Sequence, residues 1–225
     1  MKLAIDPKVK EQGVSLAYSV IEFKNEAHNE KIWQEMLNPL LKSIESTDTL
    51  ETIKENPQII TTKKVYKLLG KDPARFRPSS DSLWRRIVQQ KGLYQINALV
   101  DLNNYFSLKW KLPFGAYDLE KITEPIQLTV GQAGARYTGI GKKSVNIENL
   151  LVLADDAGPF GSPTSDSTRG MIAEETTRAL LVGYQFEDET VIDQAEVKSI
   201  LERYLADCRI IEPVSYTHLT LPTKA

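Results

Sequence analysis

The hydrophobic positions of this chain predict helices in its first half and strands in its second. One apolar stripe recurs at alternating intervals of one and three residues, as on one face of a helix. Its members are Ile32, Trp33, Met36, Leu37, Leu40, Leu41 and Ile44. Pro39 lies inside this stripe and should kink or divide the helix. Shorter helices are predicted over 49–55 and from Thr61 or Thr62 to Gly70, a glycine well placed just after a helix end.

Two more helices are predicted between residues 79 and 110. Ser79 or Ser80 can cap the first, which we expect to end at Gly92. Asn97 can cap the second, and Pro113 follows its end. Their apolar faces comprise Leu83, Trp84, Ile87 and Val88 in the first helix, and Leu99, Leu102, Phe106 and Trp110 in the second.

Alternating apolar positions predict strands over 14–23 and 126–130, and continuous apolar runs predict buried strands at 150–153 and 179–186. Residues 155–169 are rich in Gly, Pro, Ser and Thr, which indicates a loop. A final helix would place Val197, Ile200, Leu201, Tyr204, Leu205 and Cys208 on one face. Helices first and strands second favour an α+β fold over an alternating parallel α/β fold.

The stretch INALVDLNNYFSLKWKLPFGAYDLEKI resembles a family signature. That signature, IN-x-VVD-x-TNY-x-x-L-x-x-GQP-x-HAFD, belongs to the editing domain in the beta subunit of bacterial phenylalanyl-tRNA synthetase. The matching positions are Ile96, Asn97, Val100, Asp101, Asn104, Tyr105, Leu108, Pro113, Ala116 and Asp118. The segments RPSSDSLWRR and GPFGSPTSDSTRGMIAEETTRALLV resemble the free-standing form of that domain. The resemblance covers about residues 70–186 and implies a three-layer sheet/sheet/helix sandwich.

Length and composition suit one globular domain, which we place at residues 1–213. Residues 214–225, VSYTHLTLPTKA, resemble a translated sequencing-adaptor tail, so His218 is left out of functional reasoning. Because no apolar run is long enough for a signal peptide or a membrane span, we expect a cytoplasmic protein without a membrane partner. A single cysteine, Cys208, argues against a disulfide framework or a cysteine-rich zinc site and suits core packing.

Charge is distributed unevenly along the chain. The net charge of -2 argues against a protein coated in basic residues, yet residues 63–91 contain nine Lys or Arg and two Asp. This segment is a candidate tRNA-phosphate surface, formed by Lys63, Lys64, Lys67, Arg85 and Arg86. The alternative is a pair of solvated helices whose long basic side chains cover apolar area.

Several common chemistries find little support in the sequence. His28, the histidine outside the tail, lies in a polar run typical of a solvated loop, which argues against a hydrolytic triad. The segment GQAGARYTGIGKKS lacks the spacing of a phosphate-binding loop and suits turns between strands. Acidic residues beside turns are common without a metal, so we expect neither metal nor cofactor. Those considered were Asp155, Asp156, Asp166, Glu174 and Glu175, of which Asp155 and Asp156 should shape the turn before Gly158.

Polar residues at the family motifs form a candidate substrate pocket. An amide, a hydroxyl and a guanidinium together offer directional hydrogen bonds and one fixed charge to a small amino-acid-like ligand. The predicted substrate-binding residues are Arg77, Ser79, Asn97, Asn104, Gly115, Thr164, Ser165, Asp166 and Glu175. Capping and loop hydrogen bonds are the alternative explanation for Ser79 and Asn97.

The resemblance implies hydrolysis of tyrosine wrongly esterified to the phenylalanine tRNA, with two departures. The family's histidine falls at Gly115 and its tyrosine-recognising glutamate at Val182, while its later TDAS segment has no counterpart. We expect a larger and drier pocket that favours another amino acid. A positioned water could still hydrolyse the activated ester, although no catalytic residue is assigned.

Two hypotheses follow. The chain is either a trans-acting deacylase of mischarged aminoacyl-tRNA or an inactive module that binds RNA or an amino acid. DNA is not expected as a partner in either case. Ligation of phenylalanine is excluded as an activity of this chain because the nucleotide-binding catalytic subunit is absent from it.

Overall fold

The computed structural model describes residues 1–141, 144–186 and 192–216. Its helices are α1 (Pro7–Lys10), α2 (Glu30–Ile32), α3 (Asn38–Thr47), α4 (Leu50–Glu55), α5 (Pro57–Leu68), α6 (Ser79–Val88), α7 (Ala98–Trp110) and α8 (Gln194–Tyr204). Its strands are β1 (Leu3–Ile5), β2 (Ser15–Lys24), β3 (Phe114–Asp118), β4 (Ile126–Val130), β5 (Arg136–Tyr137), β6 (Val145–Asn146), β7 (Leu151–Asp155), β8 (Gly158–Gly161), β9 (Arg178–Gln185) and β10 (Ala206–Tyr216).

The strands form two four-stranded sheets and a short hairpin. The first sheet is antiparallel in the order β10-β2-β9-β3, and the second has the order β1-β4-β7-β8 with β1 parallel to β4. The hairpin pairs β5 with β6. Most helices precede the end of α7 and most strands follow it, and the mainly antiparallel sheets confirm the α+β class.

The two faces of the first sheet have different partners. Phe114 and Leu181 share one face and pack against the helices, with Phe106 of α7 at 5.6 Å from Phe114. Tyr117 faces the other way and meets Phe160 of the second sheet, ring to edge, at 5.1 Å. Helices therefore cover one face of this sheet and the second sheet covers the other, which is the predicted three-layer sandwich.

The predicted division of the long helical stripe is confirmed. Between α2 and α3 the chain makes a wide π turn over Trp33–Leu37, and Pro39 lies in the first turn of α3. Proline cannot donate its nitrogen to the carbonyl four residues earlier, and its ring would crowd that carbonyl. The wider turn lets the apolar face continue across this interruption.

Helix caps were predicted correctly at one position and wrongly at others. Asn97 caps α7, since its Oδ1 accepts a hydrogen bond from the Val100 N–H at 3.0 Å. At α6 the cap residue is Pro78, which has no side-chain acceptor, and Ser79 and Ser80 already lie inside the helix. At α5, Asn56 is the cap.

Two helix ends and one loop also differ from expectation. Thr61 and Thr62 lie within α5 and do not begin it, while Gly70 follows its end with a φ of +86° as predicted. Helix α6 ends at Val88 instead of at Gly92, because Gln90 already adopts a positive φ of 56°.

The segment 155–169 is a β-hairpin followed by a loop. Asp155 Oδ1 accepts a hydrogen bond from the Ala157 N–H at 3.0 Å, as is typical of a turn, and β8 begins at Gly158. The predicted turn is therefore confirmed, whereas the prediction of a loop throughout this segment is wrong.

Cys208 lies on β10, and not on α8 as predicted. It is partly buried there. Backbone pairing of β10 with β2 extends to Tyr216 opposite Ala17. Residues 217–225 of the predicted tail, including His218, lie outside the described residues. Among the helices that are described, none has the length and apolar character needed to cross a membrane.

Candidate functional site

The loop after β8 is organised around the carboxylate of Asp166. Its Oδ1 accepts a hydrogen bond from the Ser162 N–H at 3.0 Å and another from the Tyr117 hydroxyl at 2.8 Å. Neither bond uses Oδ2. Burial raises the pKa of Asp166 to about 6, although both donors oppose that shift. Both of these donors are neutral groups, so Asp166 is a carboxyl group that titrates close to neutral pH.

Four tyrosine hydroxyls converge on this loop. Tyr184 lies 2.9 Å from Tyr117, and Tyr66 lies 2.9 Å from the Thr164 hydroxyl. Tyr137 contacts Ser162 Oγ at 3.1 Å and also donates toward the carbonyl of Ser165. Burial raises the pKa of each of the four phenols, so all remain neutral hydrogen-bonding groups near pH 7.

The beginning of α6 lies beside the same loop. The Ser79 N–H donates to the Pro163 carbonyl at 2.8 Å. Because Pro78 supplies no cap, the first turn of α6 has no side-chain hydrogen-bond acceptor of its own. The hydroxyls of Ser79 and Ser80 are buried and find no partner among the described residues. The structure thus brings Ser79 together with the loop that contains Thr164, Ser165 and Asp166.

Asp81, two residues into α6, is fully buried and surrounded by cations. Lys63 Nζ lies 2.7 Å from its Oδ2, and Arg85 Nε lies 2.5 Å from its Oδ1. Arg77 Nε is 3.8 Å away. Three residues predicted to bind phosphate or substrate are therefore engaged with a carboxylate.

Of the other predicted phosphate contacts, Arg86 is engaged within the described part of the protein and the two lysines are not. Arg86 donates from Nε to the Gly92 carbonyl at 2.6 Å and closes the loop that follows α6. Lys64 and Lys67 are exposed on α5 and form no ion pair in the described part of the chain. They remain the candidates for a phosphate-facing surface.

Asn97 and Glu175 lie elsewhere. Asn97 begins α7 next to Asn25, whose Oδ1 accepts from the Leu99 N–H at 3.4 Å. Glu175 borders a shallow groove with Asn25 and Lys24, near the start of β9, whereas Tyr184 is near its end. Within the described part of the chain, no hydrogen bond joins either of these two predicted residues to the Asp166 loop.

Asn104 is half-buried on α7 and has no side-chain hydrogen bond within the described structure. Its neighbour Asn103 does form a side-chain hydrogen bond. The Asn103 amide donates to the Phe114 carbonyl at 3.4 Å, and its Oδ1 is buried without a partner. Sequence reasoning singled out Asn104 and passed over Asn103.

Gly115 and Val182 are direct cross-strand neighbours on β3 and β9. A Cβ added at Gly115 would lie 2.2 Å from Tyr117 Oη, and one added at Gly161 would lie 2.4 Å from the same ring. Tyr117 therefore fills the space above both glycines. The expectation that Gly115 enlarges the pocket is wrong, and Val182 is a fully buried apolar residue beside it.

Metal binding finds no support among the described residues, since no group of three or more His, Cys, Asp or Glu side chains comes together there. Asp155, a candidate ligand by its sequence, binds Arg169 through both oxygens at 2.8 Å. Burial alone would raise the pKa of Asp155, but hydrogen bonds from Arg169 and from the Thr123 N–H lower it on balance. This carboxylate is structural.

The family comparison decides how this arrangement is classified. The B3/4 domain family matches residues 61–203, well over half of the chain. The chain belongs to the B3/4 domain family.

Relatives of this B3/4 domain include phenylalanine–tRNA ligase beta subunits. That of Chromobacterium violaceum is 38% identical over 77 residues, which cover 34% of this chain and 10% of the relative. That of Shewanella oneidensis is 32% identical over 103 residues, covering 41% and 13%. The chain thus spans only about a tenth of the length of these curated relatives. An N-terminal fragment of the phenylalanyl-tRNA synthetase beta subunit from Pyrococcus horikoshii aligns with 14% identity and a TM-score of 0.47, covering 92% of this chain and 50% of that one.

Few features of the sequence indicated the tyrosines that shape the site of this B3/4 domain. Tyr66, Tyr137 and Tyr184 lie in segments that resemble ordinary core helices and strands. The spacing of Tyr117 did indicate its role, because Gly115 and Tyr117 are two positions apart and therefore lie on the same face of a strand. A small residue beside a large one on the same face indicates that the large side chain leans over the small one.

Proposed function

We propose that this B3/4 domain binds aminoacyl-tRNA and hydrolyses a mischarged aminoacyl ester in trans. The observation that carries this proposal is the Asp166 carboxylate. Both of its hydrogen bonds reach Oδ1, which leaves Oδ2 available to hold a water molecule. The kinship with subunits named as tRNA ligases supports an aminoacyl-tRNA substrate.

General-base catalysis suits the environment of Asp166. A base is most effective when its pKa lies close to the working pH, and burial raises the pKa of Asp166 to about 6. At pH 7 the carboxylate is then mostly ionised yet basic enough to take a proton from water. The neutral tyrosines hold the carboxylate in place without lowering its basicity as strongly as a cation would.

The start of α6 supplies the complementary charge. Hydrolysis places negative charge on the ester carbonyl oxygen, and the first turn of a helix favours an anion through its free N–H groups. The unpartnered hydroxyls of Ser79 and Ser80 add donors at the same end. Contact between Ser79 and Pro163 keeps this end beside the Asp166 loop.

The test is deacylation of a panel of aminoacyl-tRNAs, including tyrosyl, phenylalanyl and non-protein amino acids, by the full chain. We expect one mischarged species to be hydrolysed and Asp166→Asn to slow that reaction by about 100-fold or more. Asp156→Asn, an exposed aspartate in the neighbouring hairpin turn, is the matched control and should leave the rate unchanged. Equal rates in the Asp166→Asn and wild-type proteins would remove Asp166 as the base.

A second function, binding without catalysis, is favoured by Tyr117. Its phenol occupies the space above Gly115, and His28 is exposed in the loop between β2 and α2. If every aminoacyl-tRNA in the panel is stable while RNA binding persists, the domain is a binding module for RNA or an amino-acid-like ligand.

A further inference from the structure

A groove of about 590 Å³ lies next to the Asp166 loop. Its walls are the end of α5, the connector of residues 71–76 and the β5–β6 hairpin, and Thr164 forms part of its lining. Sites for small molecules and nucleotides occupy roughly 300 to 1,000 Å³, so the groove is of nucleotide size. Thr164 is shared between the groove and the Asp166 loop.

Lys71 gives the floor of this groove a fixed positive charge. Its ammonium donates to the Asn146 carbonyl, the Asn146 side-chain oxygen and the Glu148 carbonyl, at 3.1, 2.9 and 2.6 Å. It also lies 3.7 Å from the centre of the Phe76 ring. Burial lowers the pKa of Lys71, while the nearby Glu148 charge opposes that shift. Neutral oxygens hold this lysine, so its charge is not cancelled by a contacting carboxylate.

Two exposed arginines line the groove above Lys71. Arg136 donates from Nε to Ser144 Oγ at 2.8 Å, which leaves its two terminal amino groups free for an anion. Arg75 also lines the groove, and neither arginine forms an ion pair within the described residues. Lys63 and Arg85 behave differently, because buried Asp81 binds both of them.

Two acidic residues, Asp72 and Glu148, also line the groove, and they differ in how far they offset its positive charge. Asp72 is turned toward its own loop, where Oδ1 accepts from the Ala74 N–H at 2.9 Å. Glu148 lines the groove and forms no ion pair in the described structure. Glu148 therefore limits anion affinity, and removing its charge should increase that affinity.

We infer that this groove binds the phosphodiester backbone of a single-stranded RNA 3′ end. Guanidinium groups suit phosphate because they donate two parallel hydrogen bonds, and the half-buried Phe76 ring offers a surface for a base. A strand lying in the groove would end at Thr164, beside Asp166. The position of an ester there rests on the proposed function, but binding of uncharged RNA does not.

The experiment measures binding of a 5′-labelled single-stranded RNA hexamer ending in CCA to the full chain by fluorescence anisotropy across a salt series. Arg75→Ala and Arg136→Ala should each weaken binding about tenfold at low salt. Each should also reduce the slope of log affinity against log salt by about 0.7. Glu148→Gln should tighten binding. Arg203→Ala, an exposed arginine of α8, is the matched control and should change nothing.

Unchanged affinity in both arginine variants would overturn the inference, as would weaker binding in Glu148→Gln. Inorganic phosphate that displaces the RNA at equal concentration would also overturn it, because the groove would then be a site for a single anion. The proposed hydrolysis is tested separately from this RNA binding, by the deacylation assay. Ester hydrolysis that depends on Asp166 but not on Arg75 or Arg136 would support the proposed function and contradict RNA binding in the groove. RNA binding that depends on Arg75 and Arg136, without hydrolysis that depends on Asp166, would support the groove and contradict the proposed function.

Discussion

Two carboxylates, the fully buried Asp81 and the partly buried Asp166, are stabilised by different kinds of neighbour. Asp81 is contacted by Lys63 and Arg85, with Arg77 at 3.8 Å. Asp166 receives only a backbone N–H and a phenol hydroxyl. Burial raises the pKa of Asp166 to about 6, because its neutral donors offset only part of the cost of desolvation.

This contrast separates structural from chemical roles in neighbouring parts of the molecule. The cluster around Asp81 ties α5 to α6 and uses basic side chains that the sequence offered as phosphate contacts. The loop around Asp166 ties both sheets together through Tyr117 and Tyr184 and leaves one carboxylate oxygen without a partner. Ion pairing therefore marks Asp81 as scaffold, and its absence marks Asp166 as the candidate reactive group.

The largest effect should come from breaking the Asp81 cluster. Asp81→Ala leaves Lys63 and Arg85 facing each other without a counter-charge, and loss of one partner from a buried ion pair costs roughly 3 to 5 kcal/mol. Urea denaturation should show this loss in the free energy of unfolding. Glu51→Ala, which removes an exposed pair with Lys54, is the control and should cost well under 1 kcal/mol, or roughly none. A similar small loss for Asp81→Ala would show that the cluster does not hold the two helices.

Asp166 should make stability depend on pH in the direction opposite to an ordinary ion-paired acid. Its pKa rises from 3.8 to about 6 on folding, so the folded state binds more protons between these values. Stability contributed by this residue therefore falls as pH rises from about 4 to about 6, by on the order of 3 kcal/mol, and is constant above that window.

Asp166→Asn tests this directly because the amide keeps an acceptor for Tyr117 but does not titrate. The variant should match the wild type near pH 4 and exceed it in unfolding free energy at pH 7. A difference between the two proteins that does not change with pH would contradict the raised pKa. The pH dependence of deacylation provides a second measurement, since the rate should rise with pH through about 6.

Local rules predicted those features that depend on neighbouring residues. Asn97 caps α7 because the side chain reaches a backbone N–H three residues ahead, and Gly70 ends α5 because a positive φ suits glycine. The four-residue spacing of Arg77, Asp81 and Arg85 was also visible in the sequence. Its meaning as an ion cluster depends on Asp81 being buried, which is a property of packing.

The rest of the site depends on contacts between distant segments. Tyr66 and Thr164 are 98 positions apart, and Tyr117 and Tyr184 are 67 apart. The first pair exists because α5 packs beside the loop after β8, and the second because β3 and β9 are neighbours in one sheet. No local pattern encodes either contact. The sequence therefore identified Thr164, Ser165 and Asp166 as polar loop residues but not the phenols that position them.

The smallest of these effects should come from Gly115, and it tests how Tyr117 sets the space of the site. Gly115→Ala places a Cβ 2.2 Å from Tyr117 Oη, and overpacking of a buried position costs roughly 1 to 3 kcal/mol. Gly170→Ala is the matched control, because its Cβ would meet the same ring at an ordinary 3.5 Å. In a Tyr117→Ala background the cost of Gly115→Ala should largely disappear, since the clashing phenol is gone. A double-mutant cycle measured by urea denaturation gives this coupling. Equal costs in both backgrounds would mean that the strand, and not the Tyr117 phenol, excludes a side chain at position 115, and that the site cannot be reopened by shortening Tyr117.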